Sequence, residues 1–286
     1  MKKNSTTRLA KILLSILIFL PIGQAAAQSD ILIAPDVVYG HKDGMALSLD
    51  VFQPASASNG IGILYMVSGG WFSVWREPAE LAPMFTGLLQ AGFTVFAIRH
   101  GSAPRYKVPD TVEDVRRAVR FIRQNSGNWS IDPERLGVYG GSAGGHLSLM
   151  LGCASDDGDQ EADDPVLRVS DRVAAVVAYY PPVDLREITG PNERFPALEF
   201  DPALASSVSP ILHVTLDDPP TLLIHGDADA LVPLLSSQVI HQAFMETGVT
   251  TELIVLEGAE HGFRGEYARR ASAAMVAWFE KYLLER

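Results

Sequence analysis

The stretch Arg135-Leu136-Gly137-Val138-Tyr139-Gly140-Gly141-Ser142-Ala143-Gly144-Gly145-His146-Leu147-Ser148-Leu149-Met150-Leu151 holds the most informative pattern in the chain. Its first five residues are a short apolar run that suits a buried strand, and Ala143 to Leu151 reads as a helix. Ser142 therefore sits on a strand-to-helix turn. A hydroxyl is a weak nucleophile, so it must be exposed, rigidly aimed and placed beside a base. A sharp turn does the aiming at the cost of strained backbone angles. Gly140 and Gly144, two positions either side, suit the crowding there. The helix start offers the Ala143 amide to a developing oxyanion. The competing reading is a phosphate cradle, which would end in Gly-Lys-Ser/Thr, and no lysine is present.

Outward from that turn, apolar runs alternate with segments of helical spacing. Met45 to Phe52 alternates like a half-exposed strand. Ile61 to Val67, Phe93 to Ile98, Arg135 to Tyr139, Val173 to Tyr180, Thr221 to His225 and Glu252 to Leu256 suit strands buried on both faces of a mainly parallel sheet. Val112 to Arg123 predicts an amphipathic helix with Thr111 as N-cap, and with Arg116, Arg120 and Arg123 turned away from the core. Leu234 to Thr247 and Tyr267 to Leu284 read likewise. Such alternation predicts a layered α/β fold. Residues 181–220, rich in Pro and Asp, break the rhythm over a length unusual for a connection.

Three further loops carry chemistry. Val67-Ser68-Gly69-Gly70-Trp71 follows an early strand, and its glycines let backbone N–H groups approach a bound carbonyl. His225-Gly226-Asp227-Ala228-Asp229-Ala230-Leu231-Val232-Pro233 can deliver a carboxylate to an imidazole; either aspartate could serve, and the other would cap the turn. Gly258-Ala259-Glu260-His261-Gly262-Phe263 places a histidine in a loop after the last strand, where its ordinary titration range suits a base. His146 and His225 read as structural, whereas His100, following a strand, is a candidate pocket residue. Cys153 is the only cysteine, so the chain has no internal disulfide, and its place in a helix reads as a buried thiol. No His/Cys/carboxylate spacing suggests a metal site, and no cofactor is expected.

Lys2, Lys3, Arg8 and Lys11, the apolar run Ile12 to Leu20, and Ala25-Ala26-Ala27 together read as a signal peptide over residues 1–27. That run is too short for a hydrocarbon core needing about 20 helical residues. The expectation is a periplasmic or secreted protein with no membrane span after cleavage, and residues 28–286 as its catalytic domain. A formal charge of −11, made more negative by loss of that basic leader, disfavours nucleic acid and anionic membrane surfaces as partners.

On Ser142 in its glycine-flanked turn, Asp229 before Leu231-Val232-Pro233, and His261 in Glu260-His261-Gly262-Phe263, the sequence resembles bacterial α/β-hydrolase esterases. The likeness lies near the hormone-sensitive-lipase-like and carbohydrate-esterase-like groups, and runs from about Val37 to the C-terminus. It implies a mostly parallel eight-stranded sheet flanked by helices, with residues 181–220 as a lid. It also implies Ser142, Asp229 and His261 as a catalytic triad in that family's chain order, with Asp229 preferred over Asp227. Gly69, Gly70 and Ala143 are the implied oxyanion donors, although the family's usual His-Gly-Gly-Gly-Trp stands here as Val67-Ser68-Gly69-Gly70-Trp71. Trp71, Trp75, Phe195 and Phe200 are expected to line the pocket together with His100. The expected activity is acyl transfer to water from small or carbohydrate esters. A prolyl-oligopeptidase-like exopeptidase and an inactive hydrolase-fold binding module are the alternatives.

Overall fold

A computed structural model describes residues 31–55 and 57–285; the expected leader at residues 1–27 lies outside them. The strands are β1 (Ile31–Lys42), β2 (Met45–Pro54), β3 (Gly62–Met66), β4 (Thr94–Ile98), β5 (Leu136–Gly141), β6 (Ala175–Tyr179), β7 (Thr221–Gly226) and β8 (Thr251–Leu256). They form one eight-stranded sheet in the order β1-β2-β4-β3-β5-β6-β7-β8. β1 and β2 pair antiparallel, β2 pairs antiparallel with β4, and all pairs from β4 to β8 are parallel. The helices are α1 (Pro78–Leu81), α2 (Thr86–Gln90), α3 (Val108–Gln124), α4 (Ala143–Cys153), α5 (Leu235–Thr247) and α6 (Gly265–Phe279). Among the described residues, no helix is long and apolar enough to cross a membrane.

The sheet separates two apolar layers. Leu64, Met66, Phe96, Ile98 and Val138 face α3, α4 and α5, where Val115, Leu147 and Phe244 complete one core. Ile63, Val95, Ala97, Tyr139 and Val177 face the other way, onto Phe85, Leu88, Met275 and Phe279 from around α1, α2 and α6. Neighbouring strand residues alternate between these cores because successive side chains point to opposite faces. Every residue of α4 is buried. Its mostly apolar sequence is hydrophobic on all sides because the sheet covers one flank and residues 181–220 another, through the short turn Pro210–Leu212.

Strand positions follow the apolar runs, but some local expectations are corrected. β1 carries no clean alternation, since Pro35, Asp36 and Gly40 interrupt it. It pairs through register shifts at Ala34/Val37 and Val38/Gly40, as an edge strand tolerates. α3 starts earlier than Thr111, with Lys107 as N-cap, Pro109 in the first turn, and the Asp110 carboxylate accepting from the Lys107 amide at 2.9 Å. Its arginines do not point into open water. The Asp156–Asp171 loop folds over them, with Arg116 reaching Asp156 at 3.0 Å and Arg120 reaching it at 2.6 Å. α6 ends at Phe279 and passes into a π-helical turn, Glu280–Leu284.

One charge inside the sheet departs from apolar patterning. Asp50 on β2 is fully buried and engages Arg99, which follows β4, through both carboxylate oxygens. Arg99 also meets Asp36 at 2.8 Å, but the Asp36 side chain is 59% exposed. Removing one partner from a buried pair strands the other, at roughly 3–5 kcal/mol, whereas an exposed partner contributes about 0–1 kcal/mol. Asp50→Ala should therefore lower unfolding free energy several-fold more than Asp36→Ala, as read by urea denaturation.

Candidate active site

Ser142 lies between β5 and α4 at φ 56°, ψ −120°, a conformation side-chain-bearing residues rarely adopt. Two hydrogen bonds hold it there: its amide donates to Tyr179 O (2.9 Å), and its carbonyl accepts from the His146 amide (2.9 Å). The flanking glycines are steric necessities. A Cβ on Gly140 would lie 2.5 Å from the Gly144 carbonyl oxygen, and one on Gly145 would lie 2.9 Å from Tyr179 O. The backbone can turn this sharply only where those atoms are absent.

The parallel strands point their C-terminal ends toward one edge, where the chemistry-bearing loops gather. Ser142 follows β5, Asp229 follows β7, and His261 follows β8. Ser142 Oγ stands 3.0 Å from His261 Nε2, and His261 Nδ1 stands 2.7 Å from Asp229 Oδ2. A carboxylate can only accept, so Nδ1 carries the imidazole proton and Nε2 presents its lone pair to the serine hydroxyl. The other Asp229 oxygen accepts from the Leu231 and Val232 amides, each at 2.9 Å. Burial of Asp229 works to raise its pKa. The Val232 amide, with His261 and the Leu231 amide, outweighs that effect and holds the carboxyl below its ordinary value. Asp227 instead accepts from the Gly258 amide at 2.6 Å, fastening the Asp229 loop to the loop that carries His261.

The glycine loop after β3 closes on itself. Gly69 donates to Phe72 O and Phe72 donates to Gly69 O, both at 3.0 Å, with Gly70 (φ 57°) and Trp71 (φ 60°) left-handed between them. This pairing corrects one expected donor, because the Gly69 amide is already spent on Phe72. The Gly70 and Ala143 amides have no partner among the described residues, the latter because a helix's first N–H groups lack intrahelical acceptors. Gly70 is also a close approach, since a Cβ there would meet the Phe195 ring at 2.8 Å.

A cavity of ≈ 660 Å³ opens beside Ser142. Tyr65, Tyr139 and Tyr179 on the sheet form one wall, and Ala268, Ala271, Ser272 and Met275 on α6 form another, with Phe195 beside Gly70 and Phe263 beside Tyr180. Small α6 side chains leave the space that the aromatics bound. Phe195 lines it as expected, with Arg194 beside it, but the other four aromatic or histidine assignments fail. Trp71 is buried behind its loop because its positive φ turns the indole inward, where its N–H reaches His146 Nδ1 at 3.4 Å. Trp75 is 54% exposed and lies outside the cavity. Phe200 packs against the core. His100 is buried with both ring nitrogens engaged, on Gly101 O and on Ser68 Oγ. Tyr180, like Tyr65, Tyr139, Tyr179 and Phe263, lines the cavity without having been marked by the sequence pattern. It also has positive φ (38°), and its ring lies 4.6 Å from the His261 ring and 4.7 Å from that of Phe263. Burial pushes its hydroxyl up to about 12, so it stays neutral.

A serine on a strained turn at the carboxyl edge of a mostly parallel sheet, hydrogen-bonded to a histidine and through it to a buried aspartate, defines an α/β-hydrolase. The chain belongs to the BD-FAE family, which matches residues 49–244. Esterase LipQ of Mycobacterium tuberculosis is 28% identical to it over 256 residues, which are 85% of this chain and 59% of LipQ. The chain spans about 60% of the length of such curated relatives. Among solved structures, an acetyl ester-xyloside bifunctional hydrolase from Caldicellulosiruptor lactoaceticus superposes with a TM-score of 0.75 at 29% identity, covering 86% of this chain and 95% of that one. Thermogutta terrifontis esterase 2 superposes at 0.72 with 28% identity, covering 86% and 91%.

Burial lowers the pKa of both His100 and His146 to about 4, from an ordinary 6.5. The unfolded chain then binds more protons than the folded one between those values, so their contribution to stability falls as pH drops from about 6.5 toward about 4. The melting temperature should fall through that window, and His146→Gln should make the fall shallower.

Proposed function

We propose that this chain is an exported serine carboxylic-ester hydrolase working through a Ser142-His261-Asp229 triad and an acyl-enzyme, on small acyl esters of sugars. The observation that carries the reading is the continuous hydrogen-bonded path from Ser142 Oγ through His261 to a fully buried Asp229 side chain. His261 Nε2 takes the hydroxyl proton as Ser142 Oγ bonds to the ester carbonyl carbon. The Gly70 and Ala143 amides receive the oxygen that becomes negative. The protonated imidazole then gives its proton to the departing alcohol, and Asp229 stabilises the imidazolium meanwhile. Water repeats the sequence in reverse roles and frees the acid.

Ester chemistry is favoured over exopeptidase chemistry by the cavity wall. Among the described residues no carboxylate lines it, whereas a free peptide N-terminus, as an ammonium, needs a counter-charge when desolvated. The similar acetyl ester-xyloside bifunctional hydrolase supports acetyl groups on carbohydrate, and the similar esterases support ester hydrolysis. The basic, apolar and small-residue pattern of residues 1–27 supports export to the periplasm or beyond.

The wild-type protein should hydrolyse p-nitrophenyl acetate and acetylated xylo-oligosaccharides, and leave aminoacyl nitroanilides intact. Ser142→Ala should lower kcat by about 10⁶, and Asp229→Asn, which favours the wrong imidazole tautomer, by about 10⁴. Nitroanilide turnover exceeding ester turnover would overturn the assignment.

A further inference from the structure

His100 is not in the cavity, yet it is tied to the loop that carries the Gly70 amide. Its Nδ1 stands 2.8 Å from Gly101 O, a pure acceptor, so that nitrogen bears the proton. Its Nε2, 2.9 Å from Ser68 Oγ, therefore accepts the serine hydroxyl. Ser68 immediately precedes the Gly69–Phe72 turn. The other arm of the same loop is held from the same place: the His100 amide donates to Ser73 Oγ (3.2 Å), and that hydroxyl donates to Val67 O (2.7 Å). One residue thus engages both arms of the turn, one through its ring and one through its backbone.

The anchor is itself fixed. The Gly101 amide donates to Asp114 Oδ2 on α3 at 2.8 Å, and Asp114 pairs with Lys42 on β1 at 2.9 Å. Other bonds also reach the loop: the Val67 amide donates to Ile98 O (3.0 Å), the Ala103 amide donates to Trp71 O (3.1 Å) and the Ser73 amide donates to Ser102 Oγ (3.0 Å). The Trp71 indole ties the far side of the turn to His146 on α4 at 3.4 Å, and His100 holds the side chain of Ser68 directly before it.

We infer that His100 is a positioning residue for ester hydrolysis, holding Ser68 so that the Gly70 amide meets the oxyanion formed at Ser142. The inference rests on the esterase reading proposed above. A misplacement of about 1 Å in a reacting geometry can cost about a hundredfold in rate. The ground-state ester is bound chiefly by the cavity, so the loss falls on kcat and leaves KM nearly unchanged.

Three variants test this: Ser68→Ala, His100→Leu and the double variant, with His100→Gln as the conservative control. Glutamine can both donate to Gly101 O and accept from Ser68, so it should retain kcat within about threefold. Ser68→Ala and His100→Leu should each lower kcat on p-nitrophenyl acetate about ten- to a hundredfold with KM within about twofold, and the double variant should cost no more than the worse single. Affinity for a trifluoromethyl ketone, whose hemiketal oxygen occupies the oxyanion position, should fall by the same factor as kcat/KM. All values are normalised to folded protein by circular dichroism. Should His100→Leu fail to fold, Ser68→Ala, which removes one hydroxyl, carries the test. Unchanged kcat in Ser68→Ala would overturn the positioning role, as would losses that simply add in the double variant. A wild-type protein without esterase activity would instead defeat the underlying functional reading.

Discussion

The strained turn at Ser142 is the constraint around which the rest of the site is arranged. A serine at φ 56°, ψ −120° costs about 1–3 kcal/mol relative to a relaxed backbone, and persists only where its surroundings over-determine it. Here β5 is paired on both sides, α4 is buried along its whole length, and the Ser142 amide and carbonyl are both tied down. Gly140, Gly144 and Gly145 remove the atoms that would prevent it, and the backbone meets itself where they stand. The result is a hydroxyl that projects from the sheet edge and cannot retreat.

Around that fixed point the electrostatics are assembled from neutral imidazoles and one buried carboxylate. Each histidine's tautomer follows from its neighbours. His225 gives its Nε2 proton to Val232 O (2.8 Å) and accepts from Ser237 at Nδ1 (2.7 Å), while His146 gives its Nε2 proton to Val208 O (2.7 Å). Burial lowers the pKa of both, and His225 Nε2 stands 3.4 Å from Asp229 Oδ2 where His261 Nδ1 stands 2.7 Å from it. His225 thus also has a serine hydroxyl on one nitrogen and a carboxylate near the other, but it and Ser237 are fully buried, whereas His261 and Ser142 line the cavity. That difference in access, rather than the mere presence of histidine, separates the candidate base from its structural counterparts.

Much of this was legible in the chain because the informative residues are ones whose chemistry is local. The strand-Gly-x-Ser-x-Gly-helix pattern fixes a turn, and parallel strands then carry successive loops to one edge, so Ser142, Asp229 and His261 meet although far apart in sequence. Residues whose role depends on which way a side chain turns were not legible. Trp71 is adjacent to the glycine pair, but at φ 60° its side chain is packed into the core. His100 reads as a pocket residue until its two ring partners are seen. Gly69 looks like an amide donor until its pairing with Phe72 closes the turn. β1 escaped the pattern because an edge strand interrupted by Pro35 and Asp36 has no periodicity to detect. Tyr180 gave one faint signal, an aromatic ending a buried apolar run just before Pro181-Pro182.

We propose that Ser142 is made nucleophilic by His261 at 3.0 Å. Reaction with a fluorophosphonate probe, followed by digestion and mass spectrometry of the adduct, tests it directly. The predicted result is a single stoichiometric adduct on the peptide carrying Ser142, lost when His261 is replaced by alanine. An unlabelled protein, or an adduct on another serine with Ser142 unmodified, would contradict it.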